Sequence, residues 1–379
     1  MNAYIVDAVR IPIGRRKGVY ADTRSEELLA HVLRGITAKS GVSPKLVEDV
    51  IVGCVTQNQE QGNNIARIAT LMAGYPETTS AETLNRKCSS SQQAIHHVAQ
   101  AVIAGDIEVG IAAGIENMTR QPLGSDRVPE PEALTELYEI IPQGESAERI
   151  ADLWGFTREQ LDELSVRSHA LAEKATKEGG FEREILPIRV SKNGEEILVT
   201  QDEGIRPGTT LETLAKLKTV FREENGQVTA GNSSQISDGA SAVLIMSEKK
   251  VEELGLKPRA KILAREVIGS DPTLMLTGPI AVTKKILEKT NLTIDDIDFF
   301  ECNEAFASVV LAWQQELNVP LEKINVRGGA IALGHPTGAS GARLMTTLLH
   351  TLEDHEKKYG LQVMCAGGGM ATATIIERI

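Results

Sequence analysis

Asp49-Val50-Ile51-Val52-Gly53-Cys54-Val55 is a short and almost unbroken apolar run. β-Branched residues without polar alternation, at this length, read as a strand buried on both faces. Upstream, residues 3–9 read as an earlier strand, and residues 25–40 place Leu28, Leu29, Val32, Leu33 and Ile36 at helical spacing. Downstream, residues 64–73 read as helix and 83–84 as a short strand. Residues 89–105 then carry Ile95, Val98, Ala99, Val102 and Ile103 on one helical stripe, and 109–114 form another buried strand. Strands that alternate with helices predict a layered α/β domain with a largely parallel sheet.

The last third repeats this order. Residues 260–267 read as strand and 281–289 as helix. Asp298-Phe299-Phe300-Glu301-Cys302 is a strand entering a helix over 305–317, and a Gly-rich turn leads to a helix over 339–352 and a strand over 361–365. A shift of 247 residues lays Val50 on Ile297 and Cys88 on His335. The ordered match of whole elements predicts an internal duplication, with Cys88 and His335 on opposite sides of one shared cleft.

Residues 120–235 differ, being rich in Glu, Lys, Thr, Pro and Gly. They hold an amphipathic helix over 158–177 behind Thr157, with Gln160 placed for a capping box. A hairpin of 185–190 with 196–200 turns at Asn193-Gly194. The expected division is an N-terminal domain of 1–119 plus 236–258, a loop domain of 120–235 over the cleft, and a C-terminal domain of 259–379.

Composition bounds the function. A chain of 379 residues exceeds one ordinary core. Aromatics are only 3% against 33 glycines, so Val, Ile, Leu and Ala must build the cores. A formal net charge of -12 argues against a nucleic-acid surface. The four cysteines, Cys54, Cys88, Cys302 and Cys365, form no CxxC pair, which argues against a zinc site or a disulfide scaffold. Residues 1–10 lack a signal-peptide pattern and no apolar stretch is long enough to span a membrane, so a cytoplasmic protein is expected.

Three small-residue turns carry reactive side chains. Cys88 stands in Asn85-Arg86-Lys87-Cys88-Ser89-Ser90-Ser91, where it is expected to open a helix and have its thiol pKa lowered by the helix N-terminus. His335 follows Gly334 in a run of Gly and Ala, and could accept a thiol proton. Cys365 ends a strand before Ala366-Gly367-Gly368-Gly369, a turn able to aim backbone N–H groups, Gly367 first, at an oxyanion. Asn303, at another strand end, could hold a water or a carbonyl oxygen. Taken singly, each also fits a plain cap or turn.

Taken together, Asn85-Arg86-Lys87-Cys88-Ser89-Ser90, Asn303-Glu304-Ala305-Phe306, Gly334-His335-Pro336 with Gly338, and Cys365-Ala366-Gly367-Gly368 resemble the thiolase family over nearly the whole chain. The resemblance implies two αβαβα domains in five layers with an inserted loop domain. It implies Cys88 as the acylated nucleophile, His335 as its activator and Cys365 as the acid/base. Asn303 would position an oxyanion-hole water, and the Cys88 and Gly367 N–H groups would form a second hole. Ser234, Lys218, Gln143 and Met275 are implied contacts of the acyl-CoA. Coenzyme A would be a substrate, with no tightly bound cofactor or metal, and the chain a homodimer or homotetramer. Ser91 departs from the family's usual Gly and Gln143 from its usual Met, and both bear on acyl length. Asn232-Ser233-Ser234-Gln235 looks more like the degradative branch. A decarboxylating ketoacyl synthase would need a second histidine where Cys365 stands. An inactive scaffold would not need all four polar groups.

Overall fold

In the computed structural model, which describes residues 2–379, the alternation of strands and helices resolves into two half-molecules of like design. The first half contains β1 (Ala3–Arg10), α1 (Ser25–Ser40), β2 (Asp49–Gly53), α2 (Ile65–Met72), β3 (Ser80–Leu84), α3 (Ser90–Ala104) and β4 (Val109–Asn117). An insert carries α4 (Gln143–Trp154) and α5 (Arg158–Lys177). The chain then returns as β5 (Ser237–Ser247) before the second half: β6 (Ala260–Gly269), α6 (Gly278–Thr290), β7 (Phe299–Cys302), α7 (Ala307–Leu317), α8 (Ser340–Asp354), β8 (Tyr359–Ala366) and β9 (Met370–Arg378).

The first sheet runs β3-β2-β4-β5-β1, and the second continues it as β6-β9-β8-β7. They join through a two-residue contact, Tyr4 with Lys261 and Ile5 with Ala260. Neither half is a purely parallel sheet. β2, β3 and β4 are parallel, as are β7 and β8, but β5 and β9 run antiparallel to both of their neighbours. An antiparallel strand lets a half close its sheet without another crossover helix. Apolar runs alone carry no direction, so the largely parallel expectation is corrected on this point.

Helices α1 and α2 cover one face of the first sheet, α6 and α7 cover the outer face of the second, and α3 with α8 form a shared central layer. The outer cores are built from residues such as Leu28, Leu33 and Ile111 on one side and Phe300, Val310 and Trp313 on the other. The central core joins Ile95, Val98 and Val102 of α3 to Met345, Leu348 and Leu352 of α8. Because α3 and α8 are buried on more than one face, with Gln92, His96, Thr346 and His350 enclosed beside their apolar residues, they can serve two sheets at once. This is the five-layer arrangement.

The register between the halves differs from the expected 247. Asp49 pairs with Gly110 and Phe299 with Gly360, so that each position is related to its partner by 250 residues. The helix starts Ser90 and Ser340 obey the same shift. Counted back from those starts, Cys88 corresponds to Gly338, and His335 to Asn85. The shift of 247 fails because the turns of Cys88 and His335 are not equivalent: the segment matching the strand Ser80–Leu84 folds instead as a short helix, Ala330–Leu333, while the strand beside β7 shrinks to one bridge between Phe300 and Ile324.

The insert follows its local signals. Thr157 and Gln160 form the capping box of α5. The hairpin comprises Ile188–Lys192 and Glu195–Val199 around Asn193-Gly194. Among the described residues, no helix is long and apolar enough to cross a membrane.

Candidate active site

Cys88 does not open α3. The helix begins at Ser90, and Cys88 sits two residues earlier on a bend formed by Lys87, whose φ of 49° lies in the left-handed region. Ser90 holds this bend. Its Oγ accepts from the Arg86 N–H at 2.9 Å and donates to the Lys87 carbonyl at 2.6 Å. The Asn85 carboxamide oxygen accepts from the Lys87 N–H at 2.8 Å. The bend turns the Cys88 sulfur toward the second half, where the Gly367 N–H and the cysteine's own N–H point at it.

These donors, with Lys87, do not lower the thiol pKa below its ordinary range. Burial dominates and pushes the Cys88 thiol up to about 11. The expected depression by the helix terminus therefore fails. The helix starts too late, and the residue is only 8% exposed. Cys365 is more deeply enclosed at the end of β8, paired with Ala371. Burial pushes its thiol up strongly, and a charge on Cys88 would push it further, so the two sulfurs share one electrostatic neighbourhood. Gly367 neighbours the tip of the flexible Gln143 side chain. A Cβ there would lie 2.8 Å from Gln143 Nε2, at the start of α4. The turn continues through Gly368 and Gly369 at φ 81° and 72°, where a side chain would be strained.

His335 lies between Gly334 and Pro336, five residues before α8. Its Nδ1 is 2.6 Å from Ser340 Oγ, which also lies 2.8 Å from the Pro336 carbonyl. The hydroxyl's single proton goes to that carbonyl, so the network assigns the imidazole proton to Nδ1 and leaves Nε2 a free base. Nε2 faces the Asn303 side-chain amide at 3.4 Å. Burial, aided by the charge of Arg343, lowers the imidazole to about 3, so it is neutral at physiological pH. Asn303 is buried, and its Oδ1 has no hydrogen-bond partner among the described residues.

Two carboxylates organise these turns: Glu116, which the sequence reading passed over, and Glu304, which it quoted beside Asn303 without giving it a role. Glu116, at the end of β4, is fully buried and accepts from the Val55, Thr56 and Gly338 N–H groups and from the Gln61 and Thr337 side chains. It thereby ties the His335 turn of one half to the other half. Glu304 accepts from Ser168, Asn325 and the Ile331 N–H, and so fixes the short helix before His335. The available signal for Glu116 was a charge at the end of an otherwise apolar strand.

The remaining expected contacts spread more widely. Gln143 meets Gly367 as described. Ser234 is half-buried, its N–H donating to the Ala305 carbonyl at 3.0 Å. Met275 is buried in the second outer core with Ala147 and Ile150. Lys218 is exposed on the insert.

Ser91 turns away from the sulfur, and its Oγ accepts the Ala342 N–H at 2.9 Å, capping the first turn of α8. Room for it comes from Gly114, where a Cβ would sit 2.6 Å from that of Ser91. Ser91→Ala is expected to leave kcat unchanged and to lower stability by about 1 kcal/mol, the cost of one buried N–H losing its acceptor. Thermal unfolding beside a turnover assay checks this.

Comparison with known proteins bears on the family and the fold. Residues 3–249 match the thiolase N-terminal domain model and residues 256–378 the thiolase C-terminal domain model. The chain is 46% identical over 385 residues to a protein of Pseudoalteromonas translucida named 3-ketoacyl-CoA thiolase, covering 100% of this chain and 99% of that one. It is also 46% identical over 386 residues to an Alcanivorax borkumensis protein of the same name, with 100% and 98% coverage. Among solved structures, a Bacillus anthracis acetyl-CoA acetyltransferase superposes with a TM-score of 0.93 at 39% identity, over 100% of this chain and 99% of that one. Human mitochondrial 3-ketoacyl-CoA thiolase superposes with the same score at 36% identity, again over 100% and 99%. Two matched domains and full-length relatives place this chain in the thiolase family.

Proposed function

We propose that the protein is a 3-ketoacyl-CoA thiolase, cleaving a 3-ketoacyl-CoA with coenzyme A into acetyl-CoA and a shortened acyl-CoA, in reversible ping-pong steps. The observation that carries this reading is the burial of Cys88, with the Gly367 N–H at its sulfur, in one electrostatic neighbourhood with Cys365.

In the first step the Cys88 thiol gives its proton to His335 Nε2 while the sulfur attacks C3. The N–H groups of Cys88 and Gly367 receive the oxyanion. Its collapse breaks the C2–C3 bond, and the electron pair passes to an acetyl-CoA enolate. The enolate oxygen faces the protonated His335 and a water held by Asn303. Cys365 protonates C2, and acetyl-CoA leaves. The Cys365 thiolate then deprotonates the incoming coenzyme A thiol, which takes the acyl group from Cys88. The departing Cys88 sulfur recovers its proton from His335. Each thiol starts and ends neutral, in keeping with two buried sulfurs whose charged forms are disfavoured at rest.

Gln143, Ser234, Met275 and Lys218 are proposed to contact the acyl-CoA, Gln143 nearest the reacting carbon because of its place against Gly367. The chain is proposed to act in fatty-acid degradation in the cytoplasm as a homodimer or homotetramer. The exposed edge strand β3 and the exposed Val128 and Leu137 offer surface for assembly. Thiolysis kinetics across short, medium and long 3-ketoacyl-CoAs test the reading. Turnover of short or medium substrates is expected, and no turnover across the whole series refutes it.

A further inference from the structure

Behind the reactive turn, two charged side chains are enclosed with no evident structural reason. Arg343, on α8, is 1% exposed, and none of its three guanidinium nitrogens has a hydrogen-bond partner among the described residues. Glu301, on β7, is also 1% exposed, and its unpartnered Oε2 lies 3.7 Å from Arg343 Nη1. Burying such a pair without close hydrogen bonds is costly, and apolar residues of similar volume generally do as well for stability.

Their placement relates them to the reaction. Glu301 and Asn303 are two apart on an extended segment and so share a face, while Phe300 and Cys302 point into the outer core. Arg343 lies three residues past Ser340, one helical turn on, and Ser340 is the partner of His335 Nδ1. The Glu301–Arg343 contact thus runs beside the Asn303–His335 contact and joins the same two elements. The duplication supplies a control within the molecule. At the 250-residue shift, Glu301 corresponds to Ile51 and Arg343 to Gln93. Ile51 packs in the apolar central core, so the fold does not need an ion pair at this join.

We propose that Glu301 and Arg343 are positioning residues for the reaction, locking the end of β7 to the start of α8 so that the Asn303 amide and His335 Nε2 stay in register. The proposal rests on the thiolase reading for what His335 and Asn303 do. Glu301 also faces Glu304, Glu184 and Arg327, and Arg343 also faces Arg10, Glu184 and Asp202, so the pair sits in a mixed field. Burial raises the Glu301 carboxyl to about 8, Arg343 opposing the shift, and lowers the Arg343 guanidinium.

The test compares Arg343→Met, Arg343→Lys and the apolar double variant Glu301→Leu/Arg343→Met with the wild type. Readouts are kcat and KM for acetoacetyl-CoA thiolysis, the rate of Cys88 alkylation by iodoacetamide, and thermal unfolding. Arg343→Met is expected to lower kcat by about 10²-fold, the scale of a small displacement near reacting groups, with KM changed by less than about twofold. Arg343→Lys should recover part of that loss. The double variant, free of an unpaired buried charge, should unfold no earlier than Arg343→Met and remain slow. Cys88 alkylation should slow in the same order. A double variant with wild-type turnover and wild-type alkylation overturns the proposal, as does an Arg343→Met whose only change is in unfolding temperature. Alkylation needs no substrate. Were the wild type inert toward 3-ketoacyl-CoAs, the thiolase reading would fall, and the alkylation order alone would decide whether the pair positions His335.

Discussion

Cys88→Ser is expected to lower thiolysis by about 10⁴-fold or more, the scale seen when a covalent nucleophile is removed. A serine hydroxyl is a far weaker acid than a thiol, and the base available to it is an imidazole that burial has lowered to about 3. Such a base can take a proton only if the attacking group gives it up as the bond to carbon forms. Sulfur is nucleophilic enough for that, and a neutral hydroxyl is not. Two measurements separate loss of chemistry from loss of fold. Unfolding temperature should stay close to wild type, since a serine hydroxyl can accept from the same Gly367 N–H. Intact-protein mass after mixing with acetoacetyl-CoA should show the acyl group on the wild type and none on the variant. An acylated Cys88→Ser protein with near-normal turnover would remove Cys88 from the mechanism.

The same site fixes the sign of a pH effect. A thiol pushed up to about 11 is almost wholly protonated at pH 7, and its thiolate grows as pH rises. Alkylation of free Cys88 should therefore climb by about tenfold per pH unit from pH 6 to 9. His335, lowered to about 3, does not titrate in that window. A rate that stayed flat over it would mean a thiolate–imidazolium pair already formed at rest.

The sequence carries its elements more openly than its register. The run from Asp49 to Gly53 and the helical stripe of α1 could be read directly, because burial on a sheet or against one face selects residue type position by position. The direction of β5 and β9 could not, since an antiparallel strand buried on both faces has the same composition as a parallel one. The duplication was legible, but its offset was not. The shift of 250 lays Cys88 on Gly338, and the second half has a short helix before His335 where the first has a strand, so the two reactive turns do not mark the repeat. The reactive residues stood out because Cys and His on small-residue turns are unusual. Their surroundings did not. The Cys88 environment depends on Gly367, nearly three hundred residues away, and on enclosure that no local pattern encodes. Glu116 joins segments around residues 55, 61 and 338, a network that exists only once both halves are folded.

Cys365→Ala is the second large effect expected, a fall in turnover of about 10³-fold, within the range for loss of a general acid–base group. The argument turns on carbon rather than oxygen. Breaking C2–C3 leaves an enolate whose C2 must be protonated, and condensation must remove a proton from that same carbon. Oxyanion donors lower the energy of the enolate but cannot deliver a proton to C2. Cys365 suits the task because burial raises its thiol, making its thiolate a strong base, and because it shares the electrostatic neighbourhood of Cys88. The specific readout is exchange of the acetyl-CoA methyl protons with deuterated water, which wild-type protein should catalyse and Cys365→Ala should not. Cys88 alkylation should change by less than about twofold, because a Cys365 thiol that burial raises so strongly is neutral and places no charge beside Cys88. That combination isolates proton transfer at carbon from nucleophile quality. Exchange at the wild-type rate in Cys365→Ala would move the acid–base role elsewhere, with the unprotonated Nε2 of His335 the next group able to take it.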